Sequence, residues 1–235
     1  MANKLVAQAF FPIVYRLLEQ AAICCSCLRQ FPLIDAPFCH RCGRPMAGKR
    51  EGVCGDCQRF GRDSLTQNRS LFTYNEWGKA LISRFKYRGD ERLAQLSGCL
   101  LSVAFYRYYA DRRFQIIANV PLHRLRLEER GFNQTQKMTE ILGKNIKVPV
   151  LPLLDRVKST DKLSKTQGKA ARFRSMKSAF RLNPEPFTRF QGRTVSVLLI
   201  DDIYTTGSTI RSCADTILYS GVVFPVEVCS LTLFR

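Results

Sequence analysis

Residues 195–200 form an unbroken apolar run, VSVLLI, which is followed directly by two aspartates and a loop of threonine, glycine and serine. A continuous apolar run of strand length is typical of a strand that is covered on both faces, as in a parallel sheet with helices on each side. Helical and strand-like patterns alternate along the chain from residue 75 onward. This alternation predicts an α/β fold with a doubly wound parallel sheet.

The other expected elements follow from hydrophobic periodicity and from the positions of glycine and proline. We expect further strands at 115–121, 148–154 and 225–234. We expect helices at 75–87, 91–110, 128–142 and 207–219. No apolar run approaches the ~18–20 residues that a bilayer-spanning helix needs, so we expect no integral membrane segment.

The two aspartates, Asp201 and Asp202, would lie at the carboxyl end of a parallel strand, where such sheets bind ligands. The loop Thr205–Thr209 would present backbone N–H groups and hydroxyls at a helix N-terminus, which favours a phosphate. Adjacent carboxylates can accept hydrogen bonds from vicinal hydroxyls or help to hold Mg²⁺. Together these features predict a site for a phosphorylated sugar. A Walker-B strand is the alternative, but the chain has no G-x-x-x-x-G-K-[ST] loop.

Seven of the ten cysteines fall within residues 24–57, and six of these form three C-x-x-C units. Two such units can hold one tetrahedral metal, and four cysteine ligands indicate a structural zinc site. The best-matched set is Cys39, Cys42, Cys54 and Cys57. The remaining unit, Cys24 and Cys27, is left as a half-site that either replaces one of the others or shares a second zinc. We therefore predict three parts: a helical segment at 1–23, a zinc ribbon at 24–62 and the α/β domain at 63–235.

The net charge of the chain restricts its partners. Lysine and arginine total 37 against 19 acidic residues, which gives a formal charge of +18. Such an excess argues against the usual acidic-surfaced metabolic enzyme and favours a nucleic acid, a phosphorylated substrate or an anionic membrane surface. Residues 156–181 carry nine basic side chains against one aspartate. This segment is either a solvated face or a single-stranded DNA contact. The candidate DNA ligands are Lys162, Lys165, Lys169 and Arg172.

The stretch VLLIDDIYTTGST, residues 197–209, resembles the phosphoribosyl pyrophosphate (PRPP) signature of type I phosphoribosyltransferases. It departs from that signature at Tyr204, where an aliphatic residue is preferred. The cysteine ribbon, the motif FKYRGD at 85–90 and the motif RGFNQ at 130–134 add to the likeness. From about residue 24 onward the chain resembles the ComF family of bacterial competence proteins. That family often carries a further C-x-x-C unit nearer the N-terminus, which this chain lacks.

The resemblance implies a phosphoribosyltransferase-like domain that binds PRPP with Mg²⁺. Asp201 and Asp202 would hold the ribose hydroxyls. The 5-phosphate would be wrapped by Thr205, Thr206, Gly207, Ser208 and Thr209. A pyrophosphate loop would follow the strand at 115–121, with the candidate ligands Leu122, His123, Arg124, Arg126 and Arg130. Asn133 and Gln134 would read a base or hold another ligand; the alternative is that they only cap a helix.

Three functions follow from the sequence and the resemblance. The first is a competence factor that acts on incoming single-stranded DNA during natural transformation, with a helicase-like ATPase and a recombination mediator as the partners that the resemblance implies. The second is an active phosphoribosyltransferase that uses Mg-PRPP, for which the sequence identifies no catalytic residue. The third is a scaffold that senses PRPP without turning it over. We expect a cytoplasmic protein, with peripheral association at the inner face of the membrane as a further option.

Overall fold

A computed structural model of the chain describes residues 10–46, 52–59, 65–87, 90, 92–158, 179–190, 193–221 and 226–235. Within these ranges the helices are α1 (Phe11–Gln20), α2 (Cys25–Gln30), α3 (Gly55–Arg59), α4 (Glu76–Tyr87), α5 (Arg92–Tyr108), α6 (Arg124–Arg130), α7 (Gln134–Ile146) and α8 (Ser208–Leu218). The strands are β1 (Gln67–Phe72), β2 (Ile116–Asn119), β3 (Leu154–Arg156), β4 (Phe180–Leu182), β5 (Val195–Ile203) and β6 (Val226–Phe234). None of the described helices is long and apolar enough to cross a membrane.

Four strands form one parallel sheet in the order β1-β6-β5-β2. The central strand β5 is longer than the apolar run alone, because it continues through Asp201 and Asp202 to Ile203. Alternate residues of β5 enter different cores, since successive side chains of a strand point to opposite faces. Val197 and Leu199 pack with α8 on one face, whereas Leu198 and Ile200 pack with α5 and α7 on the other. The predicted parallel α/β sheet with helices on both faces is confirmed.

Strand β1 was not expected from the sequence, because QNRSLF contains buried polar residues instead of an apolar pattern. Their polar groups are paired across the sheet and with the ribbon. Asn68 Nδ2 donates to the Cys42 carbonyl at 3.2 Å, and Ser230 Oγ of β6 donates to Asn68 Oδ1 at 2.8 Å. Buried polar groups are stable when they are hydrogen-bonded, so β1 can lie at this edge between β6 and the ribbon.

Two expected elements were wrong in extent. The single helix at 128–142 is instead α6 followed by α7, because Gly131 adopts a left-handed conformation (φ 74°) that ends α6. In place of the strand at 148–154, Val150 forms an isolated bridge with Ile117, and only Leu154 belongs to a strand, β3. Pro149 and Pro152 remove backbone donors from this segment, which prevents a regular ladder.

The ribbon packs on the same core as the sheet. The buried cysteines Cys39, Cys42 and Cys57 belong to the core cluster that contains Val197 and Leu199. Helix α1 packs on α5, where its residues Val14 and Leu17 contact Val103. The boundaries proposed at 23/24 and 62/63 stay predictions. Cys99, Cys213 and Cys229 are fully buried in the cores, as expected of small apolar residues.

Candidate phosphate site and zinc ribbon

The two aspartates lie at the carboxyl end of β5, as predicted. Asp201 is paired in register with Thr232 of β6, and its Oδ1 accepts the backbone N–H of Asp202 at 2.9 Å. Asp202 is only 7% exposed. Two adjacent carboxylates in such a place repel each other, so their ionisation depends on the nearest cation.

That cation is Lys86 of α4, whose ammonium contacts Asp202 Oδ2. Burial raises the pKa of Asp202, but the charge of Lys86 outweighs it and holds this pKa below its usual value. Burial, and then the charge of Asp202, hold the pKa of Asp201 well above its usual value. Of the two carboxylates, Asp202, which contacts Lys86, is therefore the one that ionises more readily. Lys86 belongs to the motif FKYRGD, but no pattern in the sequence predicts its contact with Asp202.

The loop after the aspartates makes a tight turn into α8. Gly207 is the N-cap residue of α8 and has a φ of 77°, which glycine adopts without strain. Thr206 Oγ1 lies 3.0 Å from Ser208 Oγ. Gly207 and Ser208, together with Asp201, Thr205 and Thr209, line a shallow concavity of about 180 Å³ that is partly open to solvent. The structure thus brings the acids and the hydroxyl loop together at one edge of the sheet.

Tyr204 lies beneath this loop and is 2% exposed. A Cβ atom at Gly207 would lie 2.1 Å from Tyr204 Oη, so the phenol touches the loop backbone. The guanidinium of Arg235 lies 4.8 Å from the centre of the Tyr204 ring. Arg211 Nη2 of α8 donates to Tyr204 Oη at 3.3 Å. The bulky residue at position 204 therefore fills the space between the loop and the ribbon.

The residues predicted for a pyrophosphate loop follow β2, and several of them cap or pair within their own helices. His123 caps α6, where its Nδ1 accepts the N–H of Leu125 at 3.3 Å. Arg124 forms an ion pair with Glu128, and Arg126 forms one with Glu129; in each pair the glutamate lies about one turn further along α6. These local contacts account for the side-chain positions without a ligand.

The motif RGFNQ lies at the start of α7. Asn133 Oδ1 accepts the N–H of Thr135 at 3.0 Å, which is the capping alternative that the sequence left open. Gln134 is 2% exposed, and its Oε1 accepts a hydrogen bond from Arg130 at 3.3 Å. The ring of Phe132 lies 6.0 Å from that of Phe85. RGFNQ thus packs against the segment that carries Lys86. Leu122 is half-buried.

The four candidate DNA ligands, Lys162, Lys165, Lys169 and Arg172, lie outside the described residues. The two ends of their segment are described. Val157 N–H donates to the Ala179 carbonyl at 2.8 Å, and β3 pairs with β4 in an antiparallel two-stranded sheet. His123 forms a bridge with Arg156. The basic segment therefore begins beside His123, and its two ends are joined to each other by the pairing of β3 with β4.

The cysteines Cys39, Cys42, Cys54 and Cys57 place their sulfur atoms within 4.8 Å of one another. Cys42 Sγ and Cys54 Sγ are 3.7 Å apart. A tetrahedral zinc with bonds of about 2.3 Å requires sulfur separations of about 3.8 Å, so this set fits zinc. Burial raises the pKa of Cys39, but backbone N–H groups of Cys42 and Cys54 outweigh it and lower the pKa to about 6. The arrangement is that of a structural zinc ribbon.

Cys24, the described cysteine of the half-site, is not part of this cluster. Cys24 is exposed, just before α2, and the side chain of Cys27 lies outside the described residues. Among the described cysteines, the four that converge are those of the two best-matched C-x-x-C units.

The fold and site define a class: a parallel α/β protein with strand-end acids, a hydroxyl-rich loop and an N-terminal four-cysteine zinc ribbon. Residues 16–58 match the double zinc ribbon domain family. The chain is 32% identical to competence protein ComFC of Bacillus subtilis, with 94% of this chain and 88% of that protein covered. It is 31% identical to ComFC of Streptococcus pneumoniae, with 82% and 80% covered. DNA utilization protein YhgH of Escherichia coli is 26% identical, with 84% and 85% covered. The chain therefore belongs to the ComF family of competence and DNA utilization proteins, as its sequence motifs predicted.

The convergence of four sulfurs predicts which cysteine substitutions release metal. We expect the purified protein to carry about one equivalent of zinc, and Cys42→Ser to lose it, because a serine hydroxyl is a poor substitute for a thiolate. The variant should also lose stability, since structural zinc contributes on the order of 10 kcal/mol to such modules. Cys24→Ser is the control and should keep its zinc. Metal analysis and thermal unfolding test this; zinc retained by Cys42→Ser would contradict it.

The ion pair between Lys86 and Asp202 predicts a pH-dependent stability. Because the pKa of Asp202 is lowered, the pair stabilises the fold above about pH 4 and this stability is lost as the pH falls through the lowered pKa. In Lys86→Met a buried carboxylate loses its cation, so the free energy of unfolding at pH 7 should fall by about 3 kcal/mol.

The loss in free energy of unfolding caused by Lys86→Met should shrink as the pH falls towards 4, because Asp202 becomes protonated in the variant. Lys79→Met is the matched control, because Lys79 lies on the same helix and pairs with Glu76 in solvent. It should cost less than about 1 kcal/mol. Urea unfolding between pH 7 and pH 4 measures both. A Lys86→Met deficit that stays constant with pH would contradict the assignment.

Proposed function

We propose that this member of the ComF family binds Mg-PRPP at the end of β5 and acts on single-stranded DNA in natural transformation. The observation that carries the ligand proposal is the juxtaposition of Asp201 and Asp202 with the loop that enters α8. The loop offers neutral donors for a phosphate, and the carboxylates offer acceptors for vicinal hydroxyls. A phosphorylated ribose is the ligand class that needs both within one site.

Asp201 and Asp202 would hold the ribose hydroxyls, and Thr205–Thr209 would hold the 5-phosphate. Mg²⁺ would supply positive charge to the diphosphate, which the carboxylates alone would repel. Lys86 neutralises Asp202 in the described structure, and this limits the negative charge that an incoming diphosphate meets. A cytoplasmic location suits a ligand of this kind and the DNA strand that the proposal names.

Replacing both aspartates tests the ligand site. Asp201→Asn with Asp202→Asn keeps the side-chain size but turns acceptor-only groups into mixed ones. We expect PRPP affinity to fall by about tenfold or more, measured by titration calorimetry with Mg²⁺ present. Asp111→Asn with Glu185→Gln removes the same two charges from exposed positions and should bind PRPP normally.

Unchanged PRPP affinity in the double aspartate variant would contradict the proposal that PRPP binds at Asp201 and Asp202. Following the PRPP concentration with free bases or DNA present separates binding from turnover. Consumption of PRPP that is lost in the same variant would identify a transferase, whereas stable PRPP would identify a sensing scaffold.

The DNA part of the proposal is supported by the charge of +18 and by the basic segment 156–181. That segment begins at Arg156, which bridges His123 after β2, and its end returns to its beginning through the pairing of β4 with β3. Lysines and arginines that neutralise phosphates bind single strands with little sequence preference and with a strong salt dependence. The name of the YhgH relative, a DNA utilization protein, agrees with a nucleic-acid role in the family.

Changing Lys162, Lys165, Lys169 and Arg172 together to Gln tests the DNA contact. The log–log salt slope of single-stranded DNA binding should flatten by about two to three units, since each phosphate neutralised contributes about −0.7. The control variant changes four exposed basic residues elsewhere: Arg16, Arg113, Lys144 and Arg189. It has the same net charge and should keep the slope nearly unchanged. Equal effects of the two variants in fluorescence anisotropy would place the DNA elsewhere.

A further inference from the structure

A cavity lies between the zinc ribbon and the phosphate loop, and residues of both line it. Its volume is about 430 Å³, part of which is open to solvent. The zinc-ribbon cysteines Cys42 and Cys57 lie on one side, and Thr205, Thr206 and Ser208 of the loop lie on the other. The zinc ribbon and the phosphate loop are therefore neighbours in space.

One side chain spans the distance between them. Arg211, in the first turn of α8, is 4% exposed. Its Nη2 donates to Cys57 Sγ at 3.8 Å and to Tyr204 Oη at 3.3 Å. Its backbone N–H donates to the Gly207 carbonyl at 2.9 Å, which is part of the loop itself. A buried guanidinium is stabilised by a negative partner, and a zinc-bound cysteine is a thiolate.

The contact continues from Arg211 to the loop through Tyr204. The Tyr204 hydroxyl lies against Gly207, at a place where even a methyl group on Gly207 would not fit. Burial raises the pKa of Tyr204, so the hydroxyl stays neutral and remains an acceptor for Arg211. Arg235 covers the ring and limits its movement. The chain of contacts is thus Cys57 thiolate, Arg211 guanidinium, Tyr204 hydroxyl and Gly207 backbone.

We propose that Arg211 and Tyr204 are positioning residues through which the zinc ribbon orders the phosphate loop. Groups that hold metal ligands in place also tune the metal, so the effect runs in both directions. Zinc keeps Cys57 ionised and fixed, and this holds Arg211 and Tyr204 against Gly207 with the loop N–H groups oriented. A phosphate on the loop should in turn slow the release of zinc, because coupling between two sites is reciprocal. Only the effect of a bound phosphate on zinc release rests on the proposed PRPP site.

The matched pair of substitutions is Tyr204→Phe and Tyr109→Phe. Both remove one buried hydroxyl, but that of Tyr109 donates to the Ser230 carbonyl at 3.0 Å in the other core. Tyr204→Phe keeps the ring and its contact with Arg235 and deletes the hydroxyl, which accepts from Arg211 and contacts Gly207. Any general effect of losing a buried hydroxyl should appear in both variants.

The first measurement needs no phosphate ligand. A chromogenic chelator is added to the folded zinc protein, and the rate of zinc release is followed. Tyr204→Phe should release zinc at least about fivefold faster than the wild type, whereas Tyr109→Phe should match the wild type. Hydrogen exchange of amides 205–209, with zinc bound, should be at least about tenfold faster in Tyr204→Phe alone. Equal zinc release and equal exchange in the two variants would overturn the proposal.

The second measurement adds PRPP with Mg²⁺ to the same release assay. PRPP should slow zinc release from the wild type by about fivefold or more, and should change it less than twofold in Tyr204→Phe. If calorimetry shows PRPP bound to the wild type and zinc release is unaffected, the coupling is wrong. If PRPP does not bind at all, the proposed function fails, and the ligand-free measurements still decide whether Tyr204 connects the ribbon to the loop.

Discussion

The parallel pairing of β5 between β6 and β2 is the constraint on which the rest of this structure depends. Because all four strands of the sheet run in the same direction, their carboxyl ends meet at one edge. Strand β5 extends beyond its apolar run, so Asp201 and Asp202 are held within the hydrogen-bonded ladder and not on a free loop. Their backbone is fixed before any ligand arrives, which is the preorganisation that a binding site requires.

The ribbon is joined to this sheet by polar and apolar contacts together. Its buried cysteines share a core cluster with β5, and the carbonyl of Cys42 accepts a hydrogen bond from Asn68 of β1. The edge strand β1 has few apolar residues and is stabilised by this contact and by its ladder with β6. Metal and sheet therefore support each other: zinc holds the loops that cover β1, and β1 provides the surface against which the loops pack.

Charge is distributed unevenly between the site and the whole molecule. The chain carries +18, yet two carboxylates are adjacent at the end of β5. Lys86 neutralises the more buried of them, and the neighbouring loop contributes neutral hydroxyl and backbone donors. The site therefore offers neutral donors beside a neutralised carboxylate, within a molecule whose net positive charge favours polyanionic partners. The same basic charge suits a nucleic-acid strand.

The sequence by itself determined the elements whose signal is local. The apolar run predicted β5, the glycine and hydroxyl pattern predicted the start of α8, and the two-residue cysteine spacing predicted the zinc ligands Cys39, Cys42, Cys54 and Cys57. Tertiary structure alone decided the contacts between distant segments: Lys86 with Asp202, Asn68 with Cys42, and Arg211 with both Cys57 and Tyr204. Periodicity and spacing describe neighbours along the chain, whereas these pairs form only when packing on the sheet brings their helices and loops together.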